Sequence, residues 1–293
     1  MKKIQYILLG FLCLQGILSA QSDNFCGTKL PPNYLQWRNS IISTQNLVTT
    51  LKHDTCLNKK FSIAFHVVLD SNGTWGGLSP ADLTGCINLL NGAFSRICVS
   101  FENCFVDEIP NYTYNHWYMA ATETSIAASY NLENVINIYA VDSIVGFPAG
   151  YAGGVIVVEK GSLASSVTIH EMGHFFGLVH TWAEIGVPDA NSVPGPTNPN
   201  VGSLEFVRRT PNNCYNHGDG FCDTEADCYP ADYSPTSTMP CKHDQGGAAD
   251  GWGDYYVPPV DNYMTYFKCG CRFTQEQYNW MARVIVTQKL YLH

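Results

Sequence analysis

The sequence predicts an α+β protein. Its N-terminal half, to about residue 180, is a mixed twisted sheet with a backing helix and a second, histidine-bearing helix. Its C-terminal half, 181–293, is rich in loops and disulfides and ends in a helix. Three observations predict this. Before residue 180, short runs of β-branched and aromatic residues alternate with clear helical patterns. After it, long stretches of Gly, Pro, Asn and Asp carry Cys214, Cys222, Cys228 and Cys241 with little periodicity. Finally, Thr274-Gln275-Glu276-Gln277 is a capping box that opens a last helix through Tyr278, Met281 and Ile285.

In chain order, residues 1–20 (MKKIQYILLGFLCLQGILSA) place Lys2 and Lys3 before an apolar run that closes on Ser19 and Ala20, the layout of a secretory signal peptide. No later segment reaches the roughly 18 apolar residues of a spanning helix. The expectation is an exported protein without a membrane anchor, extracellular or periplasmic in a bacterium. Residues 21–55 carry Cys26-Gly27 and Pro31-Pro32 without a strong strand, and read as a short pro-segment rather than core. The main domain is then 56–293. FSIAFHVVLD (61–70) is a strand, with His66 a packed strand residue. Ser79 is an N-cap ahead of Pro80, and Leu83, Ile87, Leu90 and Phe94 share one helical face. VINIYAV (135–141) and GGVIVV (153–158) are two more strands flanked by glycine.

Charge and cysteine usage narrow the function. The formal charge is −9, and removing residues 1–20 takes away lysines and no acid. That argues against nucleic acid, which is bound through clustered Lys and Arg. Protein or peptide remains the expected partner, and the chain is read as a monomer. Twelve cysteines fall to eleven once Cys13 leaves with the leader. In an exported chain that allows five disulfides and one odd thiol.

The stretch VTIHEMGHFFGLVH (167–180) holds three of the nine histidines. Residues four apart share a helix face, so His170 and His174 can present imidazoles to one ion. Glu171 is placed to take a proton from water whose pKa zinc lowers from nearly 16 to about 7. His180 would point roughly 240° away from His174 on a continuing helix, so the helix must stop first. Gly177 permits that through a left-handed turn. Three neutral nitrogens and an open position describe a catalytic zinc site. The bland alternative is a core helix with two satisfied histidines. The added Gly177 and His180 weigh against it.

HEMGHFFGLVH matches the HEXXHXXGXXH pattern of the metzincin zinc endopeptidases, and DNYMTY (261–266) resembles their methionine turn, with Met264 beneath the metal. His180-Thr181, GDGFCDT (218–224), the FTQEQ after the Met-turn cysteines, and LNGAFSRICVSFE, SFENCF and AGYAGG upstream look like the pappalysin family in particular. The resemblance covers about residues 60–285. It departs where Glu225 stands in place of a proline after Asp-Thr, and where Thr265 replaces an aspartate after Met264. It implies a zincin-like fold and a secreted endopeptidase with Glu171 as general base. Tyr266 would approach the zinc and the tetrahedral intermediate, or simply fill the floor beside Met264. In GDGFCDT the resemblance implies structural calcium held by Asp219, Asp223 and Thr224; an Asp-Gly turn is the alternative. Phe25-Cys26-Gly27-Thr28 looks like a cysteine switch whose thiolate fills the open zinc position and keeps a zymogen latent. The rival pairs Cys26 with Cys56. Two rival functions stay open: a zinc-containing binding protein of the same fold without turnover, and a metzincin of another family.

Overall fold

The computed structural model describes residues 28, 33–43, 56–118, 120–146, 149–183, 213–215, 217–226, 254–267 and 269–292. Residues 1–20, expected to be a leader, and Cys26 lie outside the described residues. The first helix is α1 (Tyr34–Ser43), followed by strand β1 (Lys59–Val68), helix α2 (Pro80–Phe94) and strand β2 (Val99–Ile109). Then come β3 (His116–Trp117), α3 (Ala120–Tyr130), β4 (Ile136–Val141), β5 (Ser143–Ile144), β6 (Gly150–Ala152) and β7 (Ile156–Glu159). Helices α4 (Ser166–Phe175) and α5 (Gln275–Gln288) complete the order.

One five-stranded sheet runs β2-β1-β4-β7-β6, and β3 with β5 forms a separate short pair. All neighbours in the large sheet are parallel except β6, which pairs antiparallel with β7 at the edge. Residues 63–68 of β1 are buried without a break. That is what a strand covered on both faces requires, and it explains why the apolar run does not alternate. Helices α2, α4 and α5 cover one face, where Leu83, Leu90, Met172, Phe176, Met281 and Ile285 join the main core. On the other face Ile126 of α3 packs with Trp117, Tyr139 and Val157.

Local chemistry sets the element ends. At α2, Pro80 takes the first turn and the Asp82 carboxylate accepts the Ser79 N–H at 2.8 Å. At α5 the capping box forms as the sequence predicts: Thr274 Oγ1 accepts the Gln277 N–H at 3.3 Å and Gln277 Oε1 accepts the Thr274 N–H at 2.9 Å. The strand expected at 153–158 begins later, because Gly153 and Gly154 form the turn between β6 and β7; the Gly153 N–H donates to Val155 O at 2.9 Å.

The first 55 residues contribute a packed helix, and the expected use of the cysteines changes. Helix α1 lies within the segment read as pro-segment, and it is packed: Ile41 is in the main core, and Tyr34 and Arg38 are buried. Cys56 pairs with Cys98, which overturns the pairing of Cys56 with Cys26, and Cys214 pairs with Cys222. Five disulfides cannot form, since Cys86, Cys104 and Cys271 are free. Cys86 is sealed on the inner face of α2. Cys104 is the extra residue of a β-bulge between Asn103 and Phe105, and its thiol lies 3.3 Å from Ile63 O.

Candidate metal centre

Helix α4 carries the cluster and is closed at both ends. The Ser165 hydroxyl accepts the Val167 N–H at 3.2 Å at its start. At its end the Gly177 N–H donates to His174 O at 2.8 Å and the Leu178 N–H donates to Gly173 O at 3.0 Å. This is the Schellman pairing, with Gly177 at a φ of 85° in the left-handed region. The chain reverses there, as the sequence predicts, and brings His180 back toward His170 and His174.

The three imidazoles meet. His174 Nε2 lies 3.0 Å from His170 Nε2 and 3.1 Å from His180 Nε2. His170 Nδ1 donates to Tyr263 O at 2.6 Å and His174 Nδ1 donates to Leu178 O at 2.9 Å. A ring nitrogen facing a carbonyl must carry the proton, so both Nε2 atoms are left as bare lone pairs. Burial pushes the His170 imidazole down to about 4, and burial followed by the neighbouring imidazoles holds His174 and His180 well below the usual range. Neutral nitrogens converging on one point repel each other unless a cation sits among them. The spacing is close to that of ligands on a tetrahedral zinc at about 2.0–2.1 Å each, so the donor set fits zinc. Among the described residues this is the one group of three potential ligands that gathers so closely.

The Met-turn forms the underside. Met264 is fully buried, and the Thr181 N–H donates to its carbonyl at 3.2 Å. Asn262 Oδ1 accepts the Met264 N–H at 2.8 Å. A Cβ on Gly173 would come within 2.6 Å of Met264 Sδ, so α4 needs a glycine where the turn passes under it. Sequence reasoning missed Gly173. The available signal was a glycine inside a helix, which costs stability unless something packs against it.

Glu171 is fully buried, and a Cβ on Gly150 would lie 2.6 Å from its Oε1, so β6 also requires a glycine beside it. The Thr28 hydroxyl donates to Glu171 Oε2 at 3.0 Å and accepts the Ala152 N–H at 2.8 Å. In the sequence Thr28 stands only as the last residue of Phe25-Cys26-Gly27-Thr28, with no role of its own. Tyr266 stands at the cluster, its ring centroid 4.9 Å from that of His180 and 6.4 Å from that of His170. Trp182 stacks on His180 at 4.6 Å and also meets Tyr266, 5.5 Å away.

The 218–224 loop is built differently. Arg38 of α1 donates to Asp219 O at 3.1 Å and Gly220 O at 2.6 Å, with its guanidinium between the rings of Phe221 and Trp280, 4.8 and 4.9 Å away. Asp219 Oδ1 accepts the Phe221 N–H at 3.0 Å, while Oδ2 is buried without a hydrogen bond. Burial pushes this carboxyl up to about 8. Asp223 Oδ2 accepts the Glu276 N–H at 2.8 Å at the start of α5, and Thr224 Oγ1 lies 3.4 Å from Thr274 Oγ1. Arg38 takes the carbonyls of Asp219 and Gly220 and Asp223 is turned to α5, so these contacts give the expected calcium no support. No step is derived through that ion.

No protein-family model and no curated protein matches the chain. Among solved structures, a mutant of Tannerella forsythia promirolysin is similar at a TM-score of 0.55 and 16% identity, covering 91% of this chain and 95% of that one. Metalloproteinase-II from Bacteroides fragilis reaches a TM-score of 0.31 at 15% identity over 43% and 44% of the two chains. The first likeness shows a shared fold over most of both chains.

Proposed function

We propose that the chain is the latent form of an exported zinc endopeptidase. One observation carries the reading: the Nε2 atoms of His170, His174 and His180 converge within ligand distance, beside the buried carboxylate of Glu171 on the same helix. A zinc ion held by these imidazoles would supply the Lewis-acid charge that polarises a peptide carbonyl and acidifies water. Glu171 would take the proton of the attacking water and return it to the leaving amine, which completes hydrolysis without net proton change. Tyr266, packed against His180, would donate its phenolic hydrogen to the oxyanion that develops at the carbonyl.

Latency is supported by Thr28, whose hydroxyl bonds the Glu171 carboxylate. Cys26 precedes it by two residues, at most about 7 Å of extended chain, so the motif read as a switch adjoins the residue that bonds Glu171. This supports the cysteine switch, and the leader supports export; no helix among the described residues is long and apolar enough to cross a membrane.

The test is Glu171→Gln in activated protein. Zinc content should stay at one equivalent while peptide hydrolysis drops about 10²–10⁴-fold. Undiminished hydrolysis would remove the mechanism. For the switch, Cys26→Ala should give a full-length chain that cleaves peptides unaided; a silent variant would refute it.

A further inference from the structure

Ala152 is where the N-terminal segment touches the sheet. Its N–H donates to Thr28 Oγ1 at 2.8 Å, and the same hydroxyl bonds Glu171. β6 is the antiparallel edge of the sheet and only three residues long, paired to β7 at Gly150, Tyr151 and Ala152. So short an edge holds its position weakly by ladder bonds alone. Yet the residues on both sides of Ala152 are tied to a single carboxylate from the other side of the sheet. Glu123, on α3, accepts the Tyr151 hydroxyl through Oε2 at 2.8 Å and the Gly154 N–H through Oε1 at 2.9 Å.

The glycines of the turn exist for this contact. A Cβ on Gly154 would lie 2.6 Å from Glu123 Oε1, and one on Gly153 would lie 2.2 Å from the Tyr151 hydroxyl oxygen and 3.1 Å from Glu123 Oε2. The sequence thus gives up side chains at two successive positions to let one carboxylate close on the end of an edge strand.

We infer that Glu123 is a positioning residue: it clamps Tyr151 and Gly154 so that the backbone N–H and C=O of Ala152 are presented to an extended chain beside Glu171. In the latent protein Thr28 takes that place. In the activated protein the substrate does, adding a strand to the exposed edge. This role rests on the endopeptidase reading. Glu123 itself touches no reacting atom, so its loss acts on binding and leaves the chemistry in place.

The experiment compares the full-length wild type with Glu123→Ala, Glu123→Gln and Tyr151→Phe, by amide hydrogen exchange before activation and by peptide kinetics with zinc after it. In Glu123→Ala, exchange over 150–154 should quicken at least about tenfold while α4 keeps its protection. KM should rise about tenfold with kcat within about twofold of wild type. Glu123→Gln keeps one acceptor oxygen and Tyr151→Phe keeps the Gly154 bond, so both should fall between. Unchanged exchange at 150–154, or a kcat loss at constant KM, overturns the clamp. A wild type that cleaves no peptide with zinc overturns the endopeptidase reading, and the exchange result still decides the clamp on its own.

Discussion

The two halves of the molecule are stabilised by different means. The sheet half is held by repetition: the parallel ladder of β2, β1, β4 and β7, with apolar side chains filling both faces. The described loops of the C-terminal half, unlike α5 with its place in the main core, are held by single side chains that reach backbone groups or one another. Arg38 takes the carbonyls of Asp219 and Gly220, Asn262 and Gln277 bond each other at 2.9 Å inside the core, and Glu276 Oε2 accepts the Cys222 N–H. Ladder and core energy is spread over many contacts, so one substitution removes a small share. A pinned loop concentrates its stability in a few polar groups, each costly to leave unpaired. The metal centre lies on the seam, with His170 and His174 on a helix of the first half and Tyr263 O and Met264 O from the second orienting the site.

This contrast is most open to attack at Arg38. Arg38→Ala removes a buried guanidinium from two carbonyls and two aromatic faces and leaves Asp219 without its nearest positive charge. The expected loss in urea unfolding is about 3 kcal/mol. A loss below about 0.5 kcal/mol would show that the loop is not pinned there.

Asp219 comes next, through pH. Its carboxyl ionises at about 8 in the folded chain against an ordinary 3.8, because burial disfavours the charge. Between those values the folded state keeps the proton and the unfolded chain has lost it. The stability from the neutral form is therefore full below about pH 4 and falls as pH rises toward 8, by at most about 1.4 kcal/mol per pH unit. Asp219→Asn should remove that slope and melt higher than wild type at pH 8, by an amount that shrinks toward pH 5. If added calcium instead stabilises the wild type and Asp219→Asn melts lower in its presence, the loop holds a cation after all.

The same contrast explains what the sequence made legible. β1, α2, α4 and α5 were readable because their cause is a period or a cap: the apolar run at 61–68, Ser79-Pro80, HEXXH spacing with Gly177, and the Thr274 capping box. β2 escaped because 102–105 are exposed on an edge strand with a bulge at Cys104, so no alternation survives. α1 escaped because its buried groups are Tyr34, Arg38 and Ile41, a mixed set whose partners are Gly177, Asp219 and the core. The histidines, Glu171, Met264 and Tyr266 could be found from spacing and resemblance, whereas Thr28, Glu123, Gly150 and Gly173 depend on approaches between distant segments that no local pattern records.

Gly173 tests the seam itself. In Gly173→Ala the new methyl meets Met264 Sδ, a side-chain atom with freedom to shift, so the cost should be about 1–2 kcal/mol. A displaced Met264 also moves Tyr263 O and Met264 O, which orient His170 and Thr181. Zinc affinity should therefore fall several-fold in a chelator competition. Gly161→Ala is the control, since its added Cβ meets nothing within 4 Å. Equal behaviour of the two variants would mean that the floor does not set the site.

The smallest effect belongs to the sheet half, at Ser79. Its hydroxyl donates to the Asp82 carboxylate at 2.6 Å, but the Ser79 backbone N–H reaches the same carboxylate and Pro80 already fits the first helical turn. Ser79→Ala thus loses one of several redundant starts to α2, at a cost of up to about 1 kcal/mol. Because α2 reaches the site only through the shared core, zinc affinity and peptide turnover should match wild type. The measurement is one urea titration read twice, by far-UV signal for the sheet half and by zinc retention for the seam. If zinc is lost in step with so small a change at α2, the two halves share their stability more evenly than their construction implies, and the contrast between ladder and pins fails.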